Sequence, residues 1–106
     1  MDELERQFHR AMVGIYETAK RELGYNATRF LQMLSERGGV ETAKYLLWAD
    51  APSDGFTTLW THGRLDLTVE AHVLLVEYES LFFDEDRRRA SQRLESYGWP
   101  ENRRYD

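Results

Sequence analysis

The chain of 106 residues is 42% hydrophobic and 31% charged with a formal net charge of −5, the composition of one folded domain with its own core. It contains no cysteine, which excludes disulfides, thiolate metal sites and a cysteine nucleophile. No apolar run reaches the roughly 20 residues that span a bilayer, and the start MDELERQFHR is acidic, so we expect a cytoplasmic protein outside the membrane.

The first predicted element is an amphipathic α-helix over residues 2–23. Its apolar residues recur at spacings of three and four, which places them on one helix face: Leu4, Phe8, Ala11, Met12, Ile15, Ala19 and Leu23. Gly24 follows the last of them and is free to take the left-handed conformation that ends a helix. Asn26 has the residue type of an N-cap, so we expect it to start a second helix over residues 27–37. The residues of that helix expected to face inward are Phe30, Leu31 and Leu34.

Gly38 and Gly39 predict a sharp corner between the second helix and a third one. Gly38 lies where a helix C-cap needs a positive φ, and Gly39 has no side chain to obstruct the helix that follows. The third helix has a stripe of apolar residues that is expected to be buried: Val40, Ala43, Leu46 and Leu47. The corner therefore predicts an angled pair of helices.

The turn DAPSDG separates the third helix from a short fourth one. Ser53 or Asp54 is expected to cap this helix, and Gly63 to close it. Its large apolar residues are Phe56, Leu59 and Trp60. A long fifth helix is predicted over LTVEAHVLLVEYESLFF, residues 67–83, where apolar residues cover more than one face. Such a pattern is typical of a central helix that the others surround.

A sixth helix is expected to start at Asp84 and Glu85, because acidic residues suit the first turn of a helix. One of its faces carries Ala90, Leu94 and Tyr97. Arg87–Arg89 are expected to point largely into water. The following GWPENRRYD contains a proline and little periodicity, so residues 99–106 are predicted to form a tail that docks through Trp99 or frays.

The fold class predicted for this chain is all-α. β-Branched residues are too scattered to alternate as strands, and no Asn-Gly or Asp-Gly turn joins two strand-like runs. No internal repeat, low-complexity block or linker divides the chain. We therefore predict a compact single-domain bundle of five or six helices over residues 1–98, followed by the tail.

Residues typical of catalytic and metal sites form no recognisable arrangement in this sequence. His9, His62 and His72 do not share the spacing of four that pairs two ligands on one helix face. No serine lies in a nucleophile elbow, and no glycine-rich phosphate loop is present. We therefore expect no enzymatic activity, no metal and no cofactor.

The Gly-Gly corner is similar to the helix-hairpin-helix of DNA-binding and repair proteins. LSERGGVETAKYLL matches that motif at its second glycine, at Ala43 and at the apolar pair Leu46 and Leu47. It departs at the turn, where Gly-Gly-Val replaces alternating glycines, and Glu36 and Glu41 flank the place that a phosphate would occupy. A plain structural corner is the simpler interpretation, because glycine is common at helix ends.

A helix-turn-helix is the second interpretation that leads to DNA, with the third helix as support and the fourth as the recognition helix. Thr57, Thr58 and His62 would face bases, while Arg29 and Arg64 would touch phosphates. Against this, the connection is longer than is usual for the motif, the recognition helix is short, and the chain is acidic. An ordinary three-helix core explains the same pattern.

Five segments resemble a widespread group of small bacterial proteins that carry no assigned function: FHRAM, GYNATRFLQML, GGVETAK, DGFTTLW and GRLDLTVEAHVL. The resemblance covers most of the chain up to about Tyr97. It implies a bacterial cytoplasmic setting and a complete, independently folding unit. It transfers no catalytic residue.

Tyr45, Trp48 and Trp60 are predicted to form an interaction surface, which requires that they be exposed on the folded chain. Aromatic side chains contribute a large contact area at low entropic cost, so they are better anchors than scattered charges. We therefore expect a non-enzymatic module that binds a protein partner or forms a homo-oligomer. DNA binding through the fourth helix is the alternative, and neither interpretation involves a membrane.

Overall fold

The computed structural model describes residues 2–99, and within that range the chain is helical with no strand. The α-helices are α1 (Glu3–Leu23), α2 (Thr28–Arg37), α3 (Gly39–Trp48), α4 (Asp54–Thr61), α5 (Val69–Val73) and α6 (Asp84–Ser96). Two 3₁₀ helices, Leu65–Leu67 and Val76–Leu81, lie on either side of α5. The all-α prediction is confirmed. None of the described helices is both long enough and apolar enough to cross a membrane.

α1 is capped at both ends by its own sequence. The Asp2 carboxylate accepts a hydrogen bond from a backbone N–H of the first turn at 2.8 Å, and Gly24 ends the helix with a φ of 67°. The expected Asn26 cap is wrong, because α2 begins after Ala27 without a side-chain cap. The Asn26 side chain instead accepts a hydrogen bond from the Tyr16 hydroxyl at 2.6 Å, which ties the α1–α2 loop back onto α1.

The inward face of α2 is narrower than its sequence predicts. Leu34 is buried and Phe30 is partly buried, but Leu31 is exposed. Phe30 and Leu34 are four positions apart and therefore share a face. Leu31 follows Phe30 directly in the sequence, so its side chain is rotated about the helix axis and lies beyond the edge of that face.

Gly38 alone separates α2 from α3, and its backbone has a φ of 82°. At Gly39 a side chain has no room, because a Cβ there would lie 2.7 Å from the Cα of His9 in α1. α3 thus starts in direct contact with α1, and Thr42 in its first turn donates a hydrogen bond to the Met33 carbonyl at 3.1 Å. The predicted corner is confirmed, and its second glycine also serves the contact between α1 and α3.

The main core is built around Phe8 of α1. Its ring packs edge-to-face against Tyr78 and Phe82, with ring centroids 5.0 Å and 5.2 Å apart. Buried residues of five α-helices complete this cluster: Met12, Ile15, Leu34, Ala43, Leu47, Val69, Val73 and Ala90. Five α-helices therefore meet in one apolar cluster, and packing there contributes to the stability of each.

The long fifth helix predicted over residues 67–83 is wrong. α5 has five residues, Leu75 after it is extended with a φ of −64° and a ψ of 133°, and the chain resumes as the 3₁₀ helix Val76–Leu81. A straight helix would distribute the apolar residues of this segment round its whole circumference. The break instead directs Tyr78 and Phe82 back to the main core.

α6 begins where it was expected, but its arginines do not all point into water. Arg88 is exposed, whereas Arg87 donates a hydrogen bond to the Leu74 carbonyl at 3.1 Å and Arg89 donates one to the Leu47 carbonyl at 2.8 Å. Both carbonyls lie at the carboxyl end of a helix, where no backbone N–H of the same helix remains to bond them. The two guanidinium groups supply those donors.

A second, smaller apolar cluster lies beside α4 and α6. Its buried residues are Phe56, Leu65, Ala71 and Leu94. Tyr97 and Trp99 pack against it, so the predicted tail docks onto the fold through Trp99. The rest of the predicted tail, residues 100–106, lies outside the described residues.

Candidate interaction surface and cleft

Two of the three predicted interface residues lie on the outward face of α3. Tyr45 and Trp48 are three positions apart, which places them on one side of the helix, and they are 48% and 53% exposed. The other side of α3 is buried: Thr42, Ala43 and Leu47. Phe83, the residue before α6, is 67% exposed and was not part of the predicted surface.

Asp86 connects Trp48 to Phe83. Its Oδ1 accepts a hydrogen bond from Nε1 of the Trp48 indole at 2.8 Å, and its Oδ2 accepts one from the Phe83 backbone N–H at 3.0 Å. Asp86 is buried, so these bonds face little competition from water. We define Tyr45, Trp48 and Phe83 as the α3 aromatic surface.

Each ring of the α3 aromatic surface has a cation beside it. Arg37 lies 4.3 Å from the centroid of Tyr45, Lys44 lies 4.9 Å from that of Phe83, and Arg89 lies 5.6 Å from that of Trp48. Cations within about 6 Å of a ring centroid are attracted to the ring face. Exposed acids are also close in sequence, at Glu41, Asp84 and Glu85, so the surface combines apolar rings with both signs of charge.

Trp60 has its ring contact with a residue outside the α3 aromatic surface. It is 46% exposed on α4 and packs edge-to-face against Tyr97, with ring centroids 5.3 Å apart. Tyr97 in turn packs against Phe56 at 5.0 Å, which makes Trp60 the outer edge of the second cluster. The structure therefore brings Tyr45 and Trp48 together with Phe83, and not with Trp60.

A buried ion pair lies beneath the carboxyl end of α3. Arg93 donates to Oε2 of Glu70 at 3.1 Å, and the two side chains are 6% and 4% exposed. Arg93 also donates to the carbonyls of Leu46 at 2.9 Å and Ala49 at 3.0 Å, so one guanidinium joins α5, α6 and the end of α3. Burial raises the pKa of the Glu70 carboxyl, an effect that its own backbone N–H and Arg93 only partly oppose.

A cleft of about 400 Å³ opens where the starts of α2, α4 and α5 meet α1 and α3. Five aromatic residues line it: Tyr16, Tyr25, Phe30, Tyr45 and Phe56. Its charged lining residues are Arg29, Asp54 and Glu70. The cleft meets the α3 aromatic surface at Tyr45.

The two arginines predicted to contact phosphates have different surroundings. Arg64 is half-buried and donates to Asp66 Oδ1 at 3.1 Å and to Glu22 Oε1 at 2.9 Å. Both hydrogen bonds raise the pKa of Arg64 above its usual range, and the bond to Asp66 has the larger effect. Arg29 is exposed in the first turn of α2 and lines the cleft. No contact among the described residues brings the two arginines to one site.

The residues predicted to face bases lie on or next to α4. Thr57 is exposed, Thr58 is half-buried, and His62 is the exposed residue that follows the helix. α4 has eight residues, about two turns, and its buried Phe56 belongs to the second cluster. Within residues 2–99, no three histidine or carboxylate side chains are grouped so that they could hold a metal ion.

Sequence reasoning missed the polar residues of α6 that support the α3 aromatic surface. Asp86, Arg89 and Arg93 share the helix face that carries Ala90 and Leu94, and this spacing is visible in the sequence. Polar side chains on a buried helix face indicate buried hydrogen bonds, since unpaired polar groups are costly there. The partners of those bonds could not be identified from the sequence: Asp86 accepts from the Trp48 indole and the Phe83 backbone, and the two arginines donate to carbonyls at the end of α3.

Comparison of the chain with protein-family models, with curated proteins and with solved structures finds no match. The function must therefore be argued from the α3 aromatic surface and the cleft themselves.

Proposed function

We propose that this chain is a non-enzymatic protein-interaction module that binds another protein through the α3 aromatic surface. The observation that carries the proposal is the exposure of three neighbouring aromatic side chains, Tyr45, Trp48 and Phe83. Aromatic residues near the centre of an interface often contribute most of the binding free energy. We expect Trp48 to be the main anchor, because tryptophan is among the residue types most enriched at such positions.

Contacts within the chain hold Trp48 in place before a partner binds. Its indole N–H donates to Asp86, and the Arg89 guanidinium lies beside its ring. Both contacts come from α6, a different helix from the one that carries Trp48. A side chain held in its bound orientation loses less conformational entropy on association, which strengthens binding.

The charges of the surface favour a different protein over a second copy of this chain. In a two-fold dimer the surface faces a copy of itself, so Arg37, Lys44 and Arg89 meet only the carboxylates that this surface supplies, whereas a different protein can present carboxylates to all three cations. The net charge of −5 on each copy also makes two copies repel each other. We therefore expect a partner that presents carboxylates next to apolar side chains, which would cover the rings and pair with the three cations.

The test compares the wild-type chain with the double variant Tyr45→Ser/Phe83→Ser. These two positions are preferred to Trp48, because removing the indole would leave Asp86 without one of its partners. Trp60→Ala is the matched control, since it removes a comparably exposed aromatic outside the surface. Each chain is used to isolate partners from a cell extract, and every partner found is purified and measured by calorimetry.

We expect the double variant to weaken binding of the purified partner by about 1000-fold, because two anchors of about 2 kcal/mol each contribute about 4 kcal/mol together. Trp60→Ala should leave the affinity unchanged. A partner that binds the double variant as tightly as the wild type would refute the proposal. Light scattering across a concentration series tests whether the surface binds a second copy of the chain instead. A stable wild-type dimer, together with a monomeric Phe83→Ser variant, would assign the surface to self-association.

A further inference from the structure

The cleft has the size and lining of a small-molecule site, which the proposed protein interaction does not require. Its volume of about 400 Å³ lies within the range of about 300–1,000 Å³ that such sites occupy. The aromatic rings that line it offer apolar contact area, and their faces also attract cations. The polar groups of the lining therefore decide which class of ligand fits.

Most uncharged polar side chains of the cleft already bond within the chain. The Tyr16 hydroxyl donates to Asn26 at 2.6 Å, and the Ser53 hydroxyl accepts from the backbone of α4 at 3.1 Å. The Thr68 hydroxyl donates to a backbone carbonyl at 2.6 Å and accepts from the backbone of α5 at 3.1 Å. These bonds stabilise helix starts and the α1–α2 loop. Since these groups already have partners within the chain, we expect the carboxylates of the lining to determine which ligand binds.

Two carboxylates line the cleft, at Asp54 and Glu70. Asp54 is exposed in the first turn of α4, whereas the Glu70 side chain is 4% exposed. Arg93 binds one oxygen of Glu70, and it is not part of the cleft lining. Burial raises the pKa of Glu70 against the opposing effect of Arg93. An ammonium group beside this carboxyl would act in the same direction as Arg93 and favour its charged form.

We propose that the cleft binds a small organic ammonium ligand. Its apolar body lies among the aromatic rings, and its ammonium group lies at the carboxylates of Asp54 and Glu70. The cation of the lining, Arg29, is exposed on α2, and it repels the ammonium group from that side of the cleft. Charge complementarity therefore orients the ligand, with its charged end toward α4 and α5.

Three probes of similar shape and different charge test the ligand class. Calorimetric titrations use phenethylammonium, 2-phenylethanol and 3-phenylpropionate with the full chain. We expect phenethylammonium to bind saturably and 2-phenylethanol to bind about tenfold or more weakly, since it lacks a charge-assisted hydrogen bond. The carboxylate probe should not bind. Equal binding of the ammonium and the alcohol, binding of the carboxylate alone, or no binding of the ammonium would overturn the proposal.

Gly55 offers a way to fill the cleft. A Cβ at this position would meet the Ser53 hydroxyl at 3.7 Å and the Tyr25 hydroxyl at 3.9 Å, both ordinary contacts, so a larger side chain would extend into the cleft. Gly55→Leu should abolish binding of phenethylammonium. Gly14→Leu is the matched control, because a Cβ at Gly14 meets no atom within 4 Å and the residue is not part of the cleft. It should leave the affinity unchanged.

Asp54→Asn is a second variant, for the case that Gly55→Leu does not fold. Because Asp54 is exposed, we expect its substitution to leave the fold intact. It should weaken binding of phenethylammonium by about tenfold. Phe83→Ser separates this inference from the proposed protein interaction, because Phe83 lies outside the cleft and its loss should leave the ammonium affinity unchanged. An affinity that neither Gly55→Leu nor Asp54→Asn reduces would place the ligand elsewhere and refute the proposed site.

Discussion

At the scale of single residues, Gly39 has the least freedom to change. A Cβ at this position would lie 2.7 Å from the Cα of His9 and 3.1 Å from its backbone nitrogen, and real Cβ atoms essentially never come as close as the first of these distances. Both neighbours are backbone atoms, which cannot rotate away as a side chain can. A side chain at Gly39 would therefore have to push α1 and α3 apart.

We expect Gly39→Ala to lower the free energy of unfolding by about 1–3 kcal/mol, the usual cost of forcing atoms into a packed core. Gly14→Ala is the control in α1, where a Cβ meets nothing within 4 Å. It should raise stability by up to about 1 kcal/mol, because alanine is the better helix former. Urea denaturation measures both. A Gly39→Ala protein as stable as the wild type would contradict the close contact between α1 and α3.

The buried carboxyl of Glu70 should make the folded chain less stable as the pH rises, which is unusual for a carboxyl group. Burial raises the pKa of its carboxyl in the folded chain above the ordinary value of 4.5. As the pH rises from 4.5 to the folded-state pKa, the unfolded chain loses this proton first, so the unfolding free energy falls. Most structural carboxylates behave in the opposite way. Hydrogen bonds from Arg6 and Arg64 lower the pKa values of Glu3 and Glu22, for example.

Glu70→Gln removes this titration and leaves Glu3 and Glu22 in place, so their contributions cancel in the comparison with the wild type. The stability of Glu70→Gln relative to the wild type should therefore stay constant below pH 4.5 and increase above it. Urea denaturation of both proteins at a series of pH values gives the difference. A difference that is constant or decreases above pH 4.5 would show that the pKa is not raised.

At the scale of elements, the junction between α3 and α6 depends on Arg93. We expect Arg93→Met to lower the unfolding free energy by about 3–5 kcal/mol, because it leaves the buried Glu70 carboxylate unpaired. Adding Glu70→Gln should restore only part of that loss, since the Leu46 carbonyl still lacks its donor, whereas the Ala49 carbonyl keeps a hydrogen bond from Arg89.

Arg88→Met serves as the control for Arg93→Met, because Arg88 is on the same helix and is exposed. We expect it to change the unfolding free energy by no more than about 0.5 kcal/mol. Thermal and urea denaturation of the single and double variants measure all three values. If Arg93→Met proved no more destabilising than Arg88→Met, the buried ion pair would not hold α3 to α6.

The sequence predicted the starts and ends of several helices, because these depend on residues that are close in the chain. Gly24 and Gly38 have the positive φ expected of them, and Ser53 caps α4 through a hydrogen bond to the backbone of its first turn. The break at Leu75 was not predictable in this way. It depends on the distant Phe8, whose ring receives Tyr78 and Phe82 once the helix is interrupted.

At the scale of the whole molecule, the distribution of charge bears on the DNA-binding alternative. The net charge is −5, and Arg64, which that alternative needs at a phosphate, is bound by Asp66 and Glu22. Moving Arg64 to DNA would require breaking both ion pairs. The acidic chain would also repel the duplex as a whole.

We expect no binding of mixed-sequence duplex DNA at low salt, as measured by fluorescence anisotropy of a labelled duplex. Arg64→Ala should make no difference to that result. Binding that weakens with rising salt, with a logarithmic slope of about 0.9 per phosphate contacted, and that is lost in Arg64→Ala would instead support the DNA-binding alternative.

The sequence alone determined that this chain is all-α, where most of its helices lie, and that Tyr45 and Trp48 share one side of a helix. Those properties follow from spacing along the chain, because the helix repeat places residues three and four apart on the same face. The tertiary structure alone decided that Phe83 joins them and Trp60 does not. It also decided that Glu70 and Arg93 pair in the interior, across 23 positions of sequence. Contacts between distant residues depend on how the helices pack, and packing is set by the shape of the whole core.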